Sequence, residues 1–300
     1  MNTNGYLQSI LKSQDLPDES DELKALQAHR KDVEDLLHKH FAESSPTIRY
    51  GGSRAKGTLI REFYDLDVIC YFPYDDTAAG VTLEDIYNNV EQALSTAYYI
   101  ERKTSALRLK SRDPKSFAKD FHIDVVPGRF TDDKKTDAFI YQNAGEKKRL
   151  KTNIAVHIEH VKESGVLDAI RLLKLWKVRR GLRVKQFAFE LLTIDLLAKK
   201  KHSPLSDQLQ HVWTVLRDRS EAPAVEDPAN PTGNDLSSLL KEAWPSLSEA
   251  ANSTLGTIDS SGWESIFGKV EEKTSAQRTA ALRSAAAAVT APTKPWLPSV

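Results

Sequence analysis

The sequence predicts a two-part α/β protein, a mixed sheet region followed by a helical region. Three observations predict it. From about Thr47 to Val126, short runs of alternating apolar residues are separated by turns. From Ile154 onward, apolar residues recur at helical spacing. Ahead of both, Ser20 to about Ala42 carries Leu23, Leu26, Val33, Leu36, Leu37 and Phe41 along one helical stripe. At 300 residues the chain can form one large or two medium domains with a full core.

The elements follow in order. Ser20 opens the first long helix, with Asp21 and Glu22 in its first turn, where the helix dipole favours acids. Gly51-Gly52-Ser53 marks a turn. Tyr64 to Phe72 reads as a strand with Leu66, Val68, Cys70 and Phe72 on one face, the row that a half-buried strand requires. Leu83 to Tyr98 reads as a helix. Residues 105–112 alternate again, placing Arg108, Lys110 and Arg112 opposite Leu107 and Leu109. That basic row is either a solvated strand face or a phosphate-facing groove. Phe121 to Pro127 is a further strand, with Phe121, Ile123 and Val125 toward the core and His122 and Asp124 away from it.

Helices are expected over about 154–162, 165–180, 186–200 and 204–218, and again after Asn234. Gly181 ends the second of these, since a glycine accepts the left-handed conformation that closes a helix. Pro223 to Gly233 is a proline-rich connection. The alanine-rich stretch from Ser284 runs into Pro292, Pro295 and Pro298 and reads as a tail. The expected units are 1–153 for the sheet lobe with its long helix, 154–288 for the helical lobe and 289–300 for the tail. No internal repeat is visible.

Composition narrows the classes. Apolar content of 40% and charged content of 28% are ordinary for a globular protein. A net charge of zero gives no support for non-specific coating of nucleic acid. Cys70 is the sole cysteine, which excludes disulfides within the chain and cysteine-rich zinc sites, and points to a reducing compartment. The first residues lack a basic start and apolar run, and no stretch approaches the roughly 20 apolar residues of a spanning helix. A cytoplasmic protein is the expectation.

The chemistry concentrates at Asp65 and Asp67. Positions i and i+2 of a strand share a face and lie about 6–7 Å apart, so both carboxylates point the same way. Hard oxygen donors at that separation suit a pair of Mg²⁺ ions. Gly51 and Gly52 let the backbone approach a ligand closely, and the amides after Ser53, with its hydroxyl, suit the oxygens of a triphosphate. Asp124, on another strand, supplies the third carboxylate that a site with two ions about 3.5–4 Å apart needs. Each feature alone is common; their order and combination are not.

Gly51-Gly-Ser53, Lys56-Gly57-Thr58, Asp65-Leu-Asp67 and Ile123-Asp124-Val-Val-Pro127 together resemble the polymerase-β-type nucleotidyltransferase superfamily. In the helical half, Arg171-Leu-Leu-Lys174-Leu-Trp176, Gln186-Phe187-Ala-Phe-Glu-Leu-Leu-Thr193 and Asp227-Pro-Ala-Asn-Pro-Thr-Gly-Asn234 resemble the oligoadenylate synthetases and cyclic GMP-AMP synthase. The short length and missing zinc insertion are most similar to the bacterial CD-NTases of anti-phage defence operons. The resemblance covers roughly residues 20–270. It implies a polymerase-β-like sheet lobe, a helical lobe and an active site in the cleft between them.

By position, the resemblance makes Asp65, Asp67 and Asp124 the metal ligands and catalytic triad, with Asp124 nearest the attacking hydroxyl and Mg²⁺, or Mn²⁺, as the cofactor. Gly52, Ser53 and Lys174 would hold the donor triphosphate. Gln186 and Phe187 would contact the donor base, Phe187 standing where relatives often carry Tyr. Asp227 to Asn234 would fix a loop without chemistry. Lys174, one turn from Arg171, would otherwise be a water-facing helix lysine. The implied reaction joins nucleoside triphosphates, ATP first among them, into a cyclic di- or trinucleotide messenger. Linear 2′–5′ oligoadenylate synthesis or nucleotidyl transfer to a small molecule or protein is the alternative, and an inactive binding relative the second. The resemblance leaves room for a regulatory protein from the same operon, and the basic row for a nucleic-acid activator.

Overall fold

The computed structural model describes residues 2–17, 19–64, 66–112, 120–145 and 147–270. It opens with helix α1 (Thr3–Ser13), capped by the Asn2 side chain, which accepts from the Gly5 amide. The sequence expectations hold no helix here, yet Tyr6, Leu7, Ile10 and Leu11 share one helical face and are buried. Helix α2 (Asp21–His40) begins after Ser20 as expected, with the Ser20 hydroxyl accepting from the Leu23 amide at 3.3 Å.

The sheet region then runs β1 (Thr47–Tyr50), α3 (Gly52–Lys56), β2 (Leu66–Phe72), α4 (Leu83–Ser95), β3 (Tyr99–Arg102), β4 (Leu107–Lys110), β5 (Asp120–Phe130), β6 (Ala138–Tyr141) and β7 (Arg149–Thr152). Its strands are ordered β1-β2-β5-β4-β3, with β6 on the far end of β5 and β7 beside β6. Only the central β2–β5 pair is parallel among the described strands. Strand β5 is long enough to pair with β2 along one edge and with β4 and then β6 along the other.

One face packs Val68, Cys70, Phe72, Leu107, Leu109, Ile123 and Val125 against residues of α2 and α4. The other buries Ile69, Tyr71, Phe130, Ala138 and Ile140. The half-buried β2 expected from alternation is therefore corrected. Beyond Asp67 it is buried on both sides, as a central strand in a parallel pair usually is.

The helical half follows as α5 (Ile154–Lys162), α6 (Leu167–Arg179), α7 (Gln186–Leu196), α8 (Leu205–Asp218), α9 (Ser237–Ser261) and α10 (Glu264–Phe267). Gly181, at φ 64°, closes α6 as anticipated. Trp176, Phe189, Trp213, Trp244 and Phe267 anchor a core that α1 joins through Tyr6, Leu7, Ile10 and Leu11. The Trp176 indole donates to Thr254 Oγ1 at 2.8 Å, so its one polar atom is satisfied. No helix among the described residues is long and apolar enough to cross a membrane. The expected tail, 289–300, lies outside the described residues.

Candidate active site

Alternation places the acids. In β2, Leu66 and Val68 turn toward the core under α2 and α4, so Asp67 turns the other way. Asp124, between Ile123 and Val125, does the same in β5. The two strands are in register with Asp67 opposite Asp124, which sets the carboxylates side by side across a strand spacing of about 4.8 Å. Both residues are partly exposed. Asp65 lies outside the described residues.

The Gly51–Ser53 turn sits against this pair. The Gly51 amide donates to the Asp67 carbonyl at 3.0 Å. A Cβ on Gly51 would lie 3.5 Å from Asp67 Cβ, an ordinary contact, and 3.3 Å from Ile154 Cδ1, which is tight, so a side chain there would press on Ile154 and touch the acid. Gly52 takes φ 74°, which strains any other residue. Next comes Ser53, buried, its Oγ without a hydrogen-bond partner among the described residues. A buried hydroxyl left unpaired is costly and is the kind of group that a ligand oxygen satisfies.

Among the described residues no group of three His, Cys, Asp or Glu is placed to hold a metal ion. Asp67 and Asp124 nevertheless fit one, because carboxylate oxygens are the donors that Mg²⁺ prefers and the in-register strands set the two acids side by side. The third expected donor, Asp65, is the one outside the description.

The basic row resolves into separate pairs. Arg108 faces Asp124 in the β4–β5 register and grips it with both arms of its fork, Nε to Oδ1 at 2.7 Å and Nη2 to Oδ2 at 2.8 Å. Lys110 pairs with Glu101 at 2.6 Å. Together with Lys103, it pulls the Glu101 carboxyl down to about 2. Arg112 donates to the Ser95 carbonyl and lies over the Tyr99 ring. Lys110 and Arg112 thus keep the solvated character of a strand face, whereas Arg108 is sheltered against Asp124.

The helical half approaches the turn through α7. Glu190 is fully buried and collects Lys56 Nζ at 2.5 Å, Thr58 Oγ1 at 2.9 Å and Gln186 Nε2 at 3.3 Å. It thereby ties the last residue of α3, and Thr58 just beyond it, to α7. Gln186 and Phe187, the base-contacting expectations, begin that helix. The other amide atom of Gln186, Oε1, is buried without a partner. The Phe187 ring has Lys56 Nζ 5.2 Å from its centre and His157 at 4.5 Å between ring centres.

His157 is in turn held by Asp227, Nε2 to Oδ1 at 2.6 Å. Burial alone would push the Asp227 carboxyl up. Its bonds to His157, Asn234 and the Ala229 amide outweigh that and hold it below the ordinary carboxylate range. The loop that Asp227 fixes thus also fixes the residue behind Phe187.

Lys174, expected at the donor triphosphate, is not the water-facing helix lysine it would otherwise have been. It is buried, with Nζ 3.4 Å from the Thr58 carbonyl and 5.6 Å from the centre of the Phe63 ring. Its helix neighbour Arg171 instead bonds Asp15 at 2.6 Å and the Leu59 carbonyl at 3.3 Å. The structure therefore gathers Gly52, Ser53 and Lys174 around the α3 turn and its exit, with Gln186 and Phe187 reaching that exit through Lys56 and Glu190.

Sequence reasoning assigned no role to Lys56, Glu190 or His157. Glu190 carried a signal, being a lone acid in the apolar run Phe187–Ile194. His157 carried none.

No protein-family profile matches this sequence, nor does any curated protein. Solved structures do match. CdnC of E. coli MS115-1, solved with ATP, is similar at TM-score 0.66 and 18% identity, over 90% of this chain and 99% of that one. CdnG of Bradyrhizobium diazoefficiens, a CD-NTase solved with GTP, is similar at TM-score 0.66 and 14% identity, over 90% and 97%. The DncV cyclic AMP-GMP synthase of Vibrio cholerae, with a non-hydrolysable GTP, is similar at TM-score 0.59 and 16% identity, over 89% and 84%. The chain has the fold of these enzymes, a polymerase-β-like sheet lobe joined to helices.

Proposed function

We propose that this protein is a metal-dependent nucleotidyltransferase that joins nucleoside triphosphates into a cyclic di- or trinucleotide messenger. The observation that carries the reading is the in-register pair Asp67 and Asp124 beside the Gly51–Ser53 turn with its buried, unpaired hydroxyl. The shared fold supports it, as do the ATP and GTP with which similar structures were solved.

Asp67 and Asp124, with Asp65, would hold two Mg²⁺ ions, which when bound supply acidity to the attacking hydroxyl and neutralise the leaving pyrophosphate. Ser53 Oγ donates to a phosphate oxygen of the donor nucleotide, and the lack of a side chain at Gly51 and Gly52 lets that phosphate approach the backbone. Lys174 adds positive charge from beneath the turn's exit, and Phe187, backed by His157, offers its ring to the base. A ribose hydroxyl of the acceptor forms a new O–P bond at the α-phosphorus. The bond to the bridging oxygen breaks, and pyrophosphate leaves with its electron pair. A second such step within the linear product closes the ring.

An anti-phage signalling role and a regulatory partner belong to the same reading. They rest on the CD-NTase resemblance and on the E. coli CdnC solved in complex with HORMA-deltaN.

Incubation with four labelled triphosphates and Mg²⁺ or Mn²⁺, then phosphatase and mass analysis, tests the proposal. The expected result is pyrophosphate release with a phosphatase-resistant product. Asp65→Asn and Asp67→Asn should each abolish it without lowering the melting temperature, since removing clustered carboxylates relieves repulsion in the metal-free state. Asp124→Asn should abolish it and also lower the melting temperature, because it leaves the Arg108 fork without its carboxylate. A product whose terminal phosphates are removed would favour linear synthesis. Turnover in Asp67→Asn comparable to wild type would sink the two-ion assignment.

A further inference from the structure

Arg108 sits where a metal ligand has to work. Its fork engages both oxygens of Asp124 at 2.7 and 2.8 Å, and the two side chains are only 14% and 15% exposed. Such a bidentate, sheltered pair is stronger and less screened than a surface ion pair. The arrangement is built into the sheet, because β4 presents Arg108 directly opposite Asp124 while β2 presents Asp67 from the other side. Asp124 therefore stands between an arginine and a second carboxylate. Lys110, at the end of β4, and Arg112, just beyond it, are engaged with Glu101 and the Ser95 carbonyl.

We propose that Arg108 is a positioning residue that occupies Asp124 as a counter-ion until a divalent cation takes its place, so that cation binding is coupled to release of the guanidinium fork. The inference rests on the two-ion reading of Asp67 and Asp124.

Two effects oppose each other when Arg108 is removed. Losing a positive charge next to the site strengthens cation binding. Losing the fork lets the Asp124 carboxylate swing and repel Asp67 in the cation-free protein. The cation itself draws both carboxylates back, so the charge effect dominates affinity, while the lost preorganisation is felt in turnover. Arg108 thus sets a threshold: the cluster stays ordered without metal, at a cost in metal affinity.

The test measures Mn²⁺ binding to the full chain without nucleotide, by paramagnetic resonance of free Mn²⁺, for wild type, Arg108→Gln, Arg108→Lys and Asp67→Asn. Arg108→Gln should bind Mn²⁺ roughly tenfold more tightly than wild type, a change of about 1.4 kcal/mol. Arg108→Lys, which keeps the charge but not the fork, should return the affinity toward wild type. In chelator, Arg108→Gln should melt below wild type, and Mn²⁺ should raise its melting temperature by more. Its turnover at saturating metal should fall about tenfold, and Arg108→Lys should not restore it.

Wild-type binding abolished by Asp67→Asn, with Arg108→Gln and Arg108→Lys both at or below wild-type affinity, would overturn the role of Arg108 and leave the two-ion reading intact. Absence of any wild-type Mn²⁺ binding that Asp67→Asn removes would overturn that reading, and this inference with it. Should Arg108→Gln fail to fold, Arg108→Lys decides through its own split: wild-type affinity with reduced turnover supports the role, and wild-type turnover overturns it.

Discussion

Lys174 and Lys177 both approach one ring. Each Nζ is 5.6 Å from the centre of Phe63, and each lies 3.4 Å from a carbonyl, of Thr58 and Val184 respectively. Burying a lysine is costly unless its charge has work to do, and Lys174 lies at the exit of the turn proposed to hold triphosphate. Because the stem is packed, charge and volume have to be tested separately. Lys174→Met keeps most of the volume and should leave the melting temperature near wild type. It should weaken a non-hydrolysable triphosphate by roughly ten- to a hundredfold, the equivalent of one charge-assisted hydrogen bond of about 1.5–3 kcal/mol. Lys174→Ala should in addition cost about 2–5 kcal/mol of stability through the cavity it leaves. Calorimetry alongside melting curves reads both, and wild-type affinity in Lys174→Met would return Lys174 to a packing role. The side-chain direction of Asp67 and Asp124 was legible because a strand has period two. The partner of Arg108 was not, since the offset between β4 and β5 is set by chain pairing and not by any local pattern.

Helix α7 carries its chemistry at one buried position. Ala188, Phe189, Leu191, Leu192 and Ile194 would make it an ordinary core helix, but Glu190 among them accepts from Lys56, Thr58 and Gln186. Removing one member of a buried ion pair strands the other, which costs about 3–5 kcal/mol, whereas exchanging both for apolar groups is often neutral. Glu190→Ala should therefore lower the melting temperature sharply. The pair Lys56→Met with Glu190→Leu should recover most of that loss, while leaving α3 and α7 joined without charge. A double-mutant melting series checks this, and additive losses would mean that the two residues do not act as a pair. Most elements were legible for the same reason that α7 was: apolar periodicity survives in a single sequence, and Ser20 and Gly181 mark helix ends. Helix α1 went unassigned although Tyr6, Leu7, Ile10 and Leu11 show the helical pattern. It has no acid in its first turn and ends without a glycine or proline, so only the core it joins reveals its purpose. The His157–Asp227 contact joins residues 70 positions apart, and no periodicity encodes it.

At the scale of the whole molecule, α1 and the residues after it link the helical core to the strand that carries Asp67. Its apolar face enters the helical core. Tyr6 Oη donates to the Gly268 carbonyl at 2.6 Å, which closes the N-terminal segment against the far end of the described chain. Gln14 then bonds Glu62 at 2.9 Å and accepts from the Arg61 amide at 2.8 Å, while Asp15 pairs with Arg171 of α6. Arg179, near the end of α6, grips Glu62 from the other side. Residues 59–62, which lead into β2, are thus held between α1's exit and α6. Each of Leu7, Ile10 and Leu11 contributes about 1.5–3 kcal/mol by its burial, and together they rival the roughly 5–15 kcal/mol that keeps a whole protein folded. Deleting residues 1–13 should therefore lower the melting temperature by more than ten degrees or prevent recovery of folded protein. The milder Leu7→Ala should cost about 2–5 kcal/mol. A second readout separates packing from positioning. Gln14→Ala leaves the apolar face of α1 and the main-chain bond to Arg61 in place but removes the side-chain bonds to the Glu62 carboxylate and amide, so pyrophosphate release should fall more than stability does. A truncated protein melting within a degree or two of the full chain would show that α1 is an ornament on the helical core, whereas a Gln14→Ala enzyme with full turnover would show that the Gln14 side chain has no hold on the strand that carries Asp67.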